Sequence, residues 1–115
     1  MTRHDPLVRV RHMLDHAREA VEMARGSTRA DLDTQRQLSL ALMRLMEVVG
    51  EAAARVPEAF RQQHPNLPWQ DIADLRNRLI HGYDNVDLQI VWDVVKRDIP
   101  QIKPKIGLIL KEYEG

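Results

Sequence analysis

Residues 30–56 read ADLDTQRQLSLALMRLMEVVGEAAARV, and the spacing of their apolar positions settles the class of fold. Leu38, Ala41, Leu42, Leu45, Met46, Val48, Val49, Ala52, Ala53 and Val56 recur at the period of an α-helix, without the alternation of a strand. Wound at about 100° per residue they cover roughly 200° of the circumference, more than a single core-facing stripe requires. Such a helix is either central in its bundle or shared between a core and a partner subunit.

The helical period continues on both sides of this stretch. In DPLVRVRHMLDHAREAVEMARG, residues 5–26, Asp5 is placed as an N-cap, Pro6 as the first helical residue and Gly26 just past the end. Val10, Met13, Leu14, Ala17, Val21 and Ala24 share one face between them. On the other side, PEAFRQQHPNLP begins with Pro57 as the first residue of a short helix and ends in prolines that force an extended link. Pro68 then starts a helix that Gly82 is placed to stop. Asp87 caps the last segment, in which Leu88, Val91, Trp92, Val95, Ile99, Ile102, Ile106, Ile109 and Leu110 stay in phase across Pro100 and Pro104, where a bend is expected. There is no strand-like alternation, internal repeat or low-complexity tract. The expected fold is an all-α antiparallel bundle of four to five helices, with residues 1–115 as a single domain.

Composition narrows the function only a little. Basic and acidic residues number 17 each, so binding of nucleic acid has to come from a local patch and not from overall charge. The absence of cysteine excludes disulfides, a thiolate metal site and a cysteine nucleophile. With no apolar run of signal-peptide or membrane-spanning length, the chain is expected to be soluble and cytoplasmic.

The chemistry concentrates in LRNRLIHGY, residues 75–83. On one continuous helix Trp69, Ile72, Ala73, Leu75, Leu79 and Ile80 gather in an arc roughly 160° wide, with Arg76 near its middle. A guanidinium half-buried there needs a partner or an anionic visitor, since burying it alone costs several kcal/mol. Glu47 and Glu51, one turn apart on the second helix, are the available counter-ions, and Glu51 is the preferred one. Asn77 and His81 are four residues apart and flank the arginine, with His81 in the last turn, where the helix dipole favours imidazolium. Tyr83 follows seven residues after Arg76. A cation, an amide, an imidazole and a phenol near one helix end suit a phosphodiester: arginine holds the phosphate bidentately, and histidine exchanges a proton near neutral pH.

This stretch resembles the motif of HEPN-domain ribonucleases, and its form, with four residues between arginine and histidine and a tyrosine two after the histidine, is similar to that of HepT-like toxins. RHMLDHAREAV, VVGEAAARVPEAFRQQHPNLPWQDI and VDLQIVWDVVKRDIPQIK extend the similarity over nearly the whole chain. The resemblance implies a HEPN-like two-fold homodimer that cleaves RNA without a metal or cofactor at a site shared between subunits. It implies that Arg76 and His81 are catalytic, that Asn77 supports them, and that Tyr83 is the site where a partner nucleotidyltransferase antitoxin of the MNT type attaches adenylate. The chain would then be the toxin of a type II-like toxin and antitoxin pair. The alternatives are a non-catalytic HEPN subunit that binds a minimal nucleotidyltransferase or nucleotides, and a dimeric scaffold with no ligand. The residues alone agree with the resemblance on one point: in-line cleavage needs both a base and an acid, one chain supplies one suitably placed histidine, and a two-fold axis supplies the second.

Other candidates carry less. His12 and His16 have a zinc-compatible spacing but no HExxH around them, and lie opposite the core stripe. Arg44 and Arg55 are within three or four residues of Glu47 and Glu51, the pattern of a salt-bridged surface. Lys96, Arg97, Lys103 and Lys105 offer a basic face of the kind any exposed helix presents. His64 is assigned no role, and Trp69 and Trp92 are expected to be core or interface anchors.

Overall fold

The computed structural model describes residues 5–81 and 85–114. Helix α1 (Pro6–Ala24) begins as expected: the Asp5 side chain accepts from Leu7 N at 2.8 Å, and Pro6 occupies the first turn, where a missing N–H costs nothing. Gly26, at φ 79°, reverses the chain in the left-handed region that a side chain would disfavour. Beyond it lie α2 (Asp31–Thr34) and α3 (Arg36–Ala54), which the sequence reads as one helix. Gln35, at φ −109° and ψ 85°, breaks it. Short helices α4 (Glu58–Gln63), α5 (Trp69–Ala73) and α6 (Leu75–Leu79) follow, then α7 (Leu88–Asp93), a π-helical turn (Val94–Asp98) and α8 (Ile99–Glu114).

The fold is all-α, as expected, but its described residues form seven helices, taking α7, the π turn and α8 as one, instead of four to five. The difference comes from the interruptions at Gln35 and Asp74, which leave the apolar period intact and so escape a pattern-based reading. The first of the two prolines of the last helix is accommodated by the π turn, while Pro104 lies inside α8. Pro100 has no N–H for the carbonyl of Lys96 and would crowd it in an α-helix; the turn widens immediately before it, with Ile99 N bonded back to Val94 O. The stripe stays in phase, and Val91, Val95, Ile99, Ile102, Ile106, Ile109 and Leu110 are all buried.

Helix α1 runs antiparallel to the last helix. Arg11, near its start, pairs with Glu114, while Lys96 in the π turn donates to Ala24 O at 2.9 Å and caps its end. Lys96 also stands 4.9 Å from the Trp92 ring centroid, and Arg97 pairs with Asp93 at 3.5 Å, so half of the expected basic face is already engaged. Helix α3 is the centre of the bundle: α1 packs along it, and α2, α5, α6 and α7 all touch it. That position accounts for its wide apolar arc, with Leu42, Met46, Val49 and Ala53 wholly buried, although Leu40 remains 42% exposed.

One contact sets the place of residues 75–81. Gly50 lies in the interior of α3, where glycine costs helix stability. A Cβ there would come within 3.0 Å of Ile72 O and 3.5 Å of Leu75 Cβ. The missing side chain lets the junction between α5 and α6 lie directly against α3.

Candidate active site

Asp74, at φ −87° and ψ 5°, separates α5 from α6, and this small kink overturns the arc drawn for one uninterrupted helix. Leu75 and Leu79, one turn apart, are buried by α6, and Arg76, Asn77 and Arg78 between them are exposed. Arg76 is therefore not half-buried as expected: its side chain is 60% exposed. Its Nε donates to Glu47 Oε2 at 3.3 Å, so the counter-ion is Glu47 and not the expected Glu51, which instead lies 3.5 Å from Arg44. Glu47 and Gly50, three residues apart, share a face of α3, so the close crossing at Gly50 also brings Arg76 over Glu47.

His81 is not in the last turn of a helix either. The α-helix ends at Leu79; Ile80 is extended, at φ −120° and ψ 120°, and forms an isolated antiparallel bridge with Val86. His81 N donates to Asn85 O at 2.6 Å and Asp87 N to Leu79 O at 2.9 Å, fixing both ends of the turn. The helix-dipole argument thus does not apply to His81, and Asn77 and His81 do not share a helical face. The His81 side chain is exposed, and its ring makes no hydrogen bond among the described residues. Tyr83, like Gly82, lies outside the described residues. Asp87 does cap α7, accepting from Ile90 N at 3.1 Å.

Arg78 points to the other flank of α6, where it pairs with Asp98 at 3.6 Å on the rim of a hollow of about 430 Å³ floored by Ile72, Leu75, Val94, Ile99 and Ile102. On α1, His12 is exposed and His16 half-buried, with His16 Nδ1 2.7 Å from His12 O. No group of three or more potential metal ligands occurs among the described residues.

Two features depart from the sequence reading. The first is the choice of Glu47 over Glu51, for which a signal exists: a glycine inside a helical pattern marks close backbone approach, and Glu47 is one turn from it. The second is the His64 corner. His64 is 8% exposed, its Nε2 is 2.8 Å from Tyr113 Oη, and its carbonyl accepts from Trp69 Nε1 at 2.8 Å. Phe60 packs against both His64 and Tyr113, with ring centroids 4.7 and 5.6 Å away. Trp69 is a core anchor, as the sequence indicates.

What remains at the motif is an exposed guanidinium, an exposed amide and an exposed imidazole on one short helix and the turn that leaves it, each on a fixed backbone. Arginine can bind and neutralise a phosphodiester, and imidazole can move a proton.

Comparison with known proteins gives this arrangement a family. Residues 13–109 match the family described as Ribonuclease HepT-like. The chain is 35% identical over 102 residues to the "Probable ribonuclease HepT" of Thermococcus cleftensis, covering 85% of this chain and 93% of that one. It is 35% identical over 112 residues to the "Gamma-glutamylcyclotransferase and putative RNase" of Methanocaldococcus jannaschii, covering 97% of this chain and spanning half the length of that relative. A "Putative RNase" of Caldanaerobacter subterraneus subsp. tengcongensis is 32% identical over 101 residues, 88% of this chain and 90% of that one. No solved structure matches. No helix among the described residues is long and apolar enough to cross a membrane. With the family matched from the first helix to the last, this chain belongs to the HepT-like ribonucleases.

Proposed function

We propose that this ribonuclease is a metal-independent endonuclease in which Arg76 binds the scissile phosphate and His81 transfers protons. In the reaction a ribose 2′-oxygen attacks the adjacent phosphorus, forming a 2′,3′-cyclic phosphate, while the bond to the 5′-oxygen breaks. One imidazole takes the 2′-hydroxyl proton and another protonates the departing 5′-oxygen. Arg76 neutralises the charge that grows on the non-bridging oxygens, and Asn77 orients the phosphate.

The observation that carries this reading is the exposure of Arg76, Asn77 and His81 together on α6 and the turn immediately after it. One chain supplies one imidazole there and the reaction uses two, so the active unit is a two-fold homodimer with both copies of the motif at one cleft. Tyr83, two residues after His81 in the sequence, is the residue that a partner nucleotidyltransferase adenylylates, which would add a bulky anionic group and silence the enzyme. In that role the chain is the toxin of a toxin and antitoxin pair.

Cleavage of a quenched fluorescent oligoribonucleotide in the presence of EDTA tests the proposal. Arg76→Ala and His81→Ala are each expected to lose on the order of a hundredfold or more in rate. Wild-type rates in either variant would refute the assignment, and dependence on an added divalent ion would refute metal independence.

A further inference from the structure

We infer that Glu47 is a positioning residue for Arg76, holding the guanidinium by its Nε side so that the two terminal nitrogens face the substrate. The inference rests on the reading of Arg76 as the phosphate ligand. Arg76 bonds Glu47 through Nε alone, and it makes no other hydrogen bond or ion pair among the described residues. The forked Nη1 and Nη2 end, the edge that matches two phosphate oxygens, is therefore left unoccupied among the described residues. Exposure is lopsided in the sense this role requires: the Glu47 side chain is 13% exposed and that of Arg76 is 60% exposed. The carboxylate is the fixed member of the pair and the guanidinium the presented one.

The backbone on both sides is equally constrained. Glu47 sits one turn before Gly50, at the point where α3 meets the α5–α6 junction most closely, and Arg76 follows Leu75, which packs against that glycine. The neighbouring carboxylate shows what a merely superficial pair looks like: Glu51 and Arg44, both on α3, are 50% and 62% exposed at 3.5 Å. An ordinary surface pair contributes little to stability. Positioning of a long, flexible arginine affects turnover far more, because a misplaced phosphate ligand loses its contact in the transition state.

The test uses the full chain and the same oligoribonucleotide, with kcat, KM and thermal melting measured for each variant. Glu47→Ala is expected to lower kcat about tenfold or more, with KM within about twofold and a melting point close to wild type. Glu47→Gln keeps an acceptor oxygen at the same reach and is expected to restore kcat to within about threefold of wild type. Combined with Arg76→Ala, the Glu47→Ala change is expected to add no further loss, since it acts through that arginine. Wild-type or faster turnover in Glu47→Ala, failure of Glu47→Gln to recover it, or a full additional loss in the double variant would each overturn the inference. If Glu47→Ala does not fold, Glu47→Asp, a carboxylate one methylene short of Nε, replaces it with the same expectations. Wild-type cleavage by Arg76→Ala would instead remove the reading of the site itself, which keeps the two failures apart.

Discussion

Two histidines, seventeen positions apart in the sequence, occupy opposite kinds of surroundings. His64 is buried, hydrogen-bonded to Tyr113 and packed on Phe60, and its own carbonyl holds the Trp69 indole. His81 is exposed, with its backbone pinned by Asn85 and its ring unbonded among the described residues. The first has its Nε2 and its carbonyl committed to the protein and its ring packed in a corner, so its loss falls on stability. The second has a fixed position and an uncommitted ring, which is what proton transfer to a visiting molecule requires.

The contrast can be broken most directly by exchanging the consequences. His81→Ala is expected to reduce RNA cleavage by about two to four orders of magnitude while leaving the melting temperature nearly unchanged, as kinetics and calorimetry on one sample would show. An equal fall in melting temperature would place His81 with His64 as a structural residue. His64→Ala is expected to cost about 2–4 kcal/mol of stability, from lost packing and the lost hydrogen bond to Tyr113, with cleavage per folded molecule unchanged in urea-titrated samples. A selective loss of activity would give the buried corner a function.

Gly50→Ala sharpens the comparison, because it disturbs the packing beneath α6, which leads into His81, without touching either histidine. The added methyl meets backbone at Ile72 O, so α5 and α6 have to shift by a few tenths of an ångström. Turnover is expected to fall about tenfold through displacement of Arg76, with a destabilisation of about 1–2 kcal/mol. Tyr113→Phe should have the smallest effect, about 1 kcal/mol in chemical denaturation and no change in rate, since it removes one hydrogen bond to His64 Nε2.

Much of the fold was legible because its signals are local. Asp5, Pro6, Gly26 and Asp87 act at the helix ends where their chemistry puts them, and most stripe positions of α1, α3 and α8 are buried, with Val21, Leu38, Ala41 and Val48 only partly so. The breaks at Gln35 and Asp74 were not legible, since each changes one or two dihedral angles and leaves the apolar period as it was. At the site, type and spacing pick out the motif, but periodicity puts Arg76 in an apolar arc and His81 in a last helical turn, and both expectations depend on a helix running to Gly82. The bridge between Ile80 and Val86 ends it first, for the sake of a pairing with residues that follow the turn.

By itself, then, the sequence determined an all-helical chain, the core faces of its long helices, and a motif whose side-chain groups suit a phosphodiester, because periodicity, capping and functional groups are properties of neighbouring residues. Only the tertiary structure decided that Arg76 is presented at the surface, that Glu47 and not Glu51 holds it, and that His64 is locked while His81 is open. Those outcomes depend on the approach of α5 and α6 to Gly50 and on burial by elements distant in the chain, and one turn along a helix is enough to exchange one carboxylate for another.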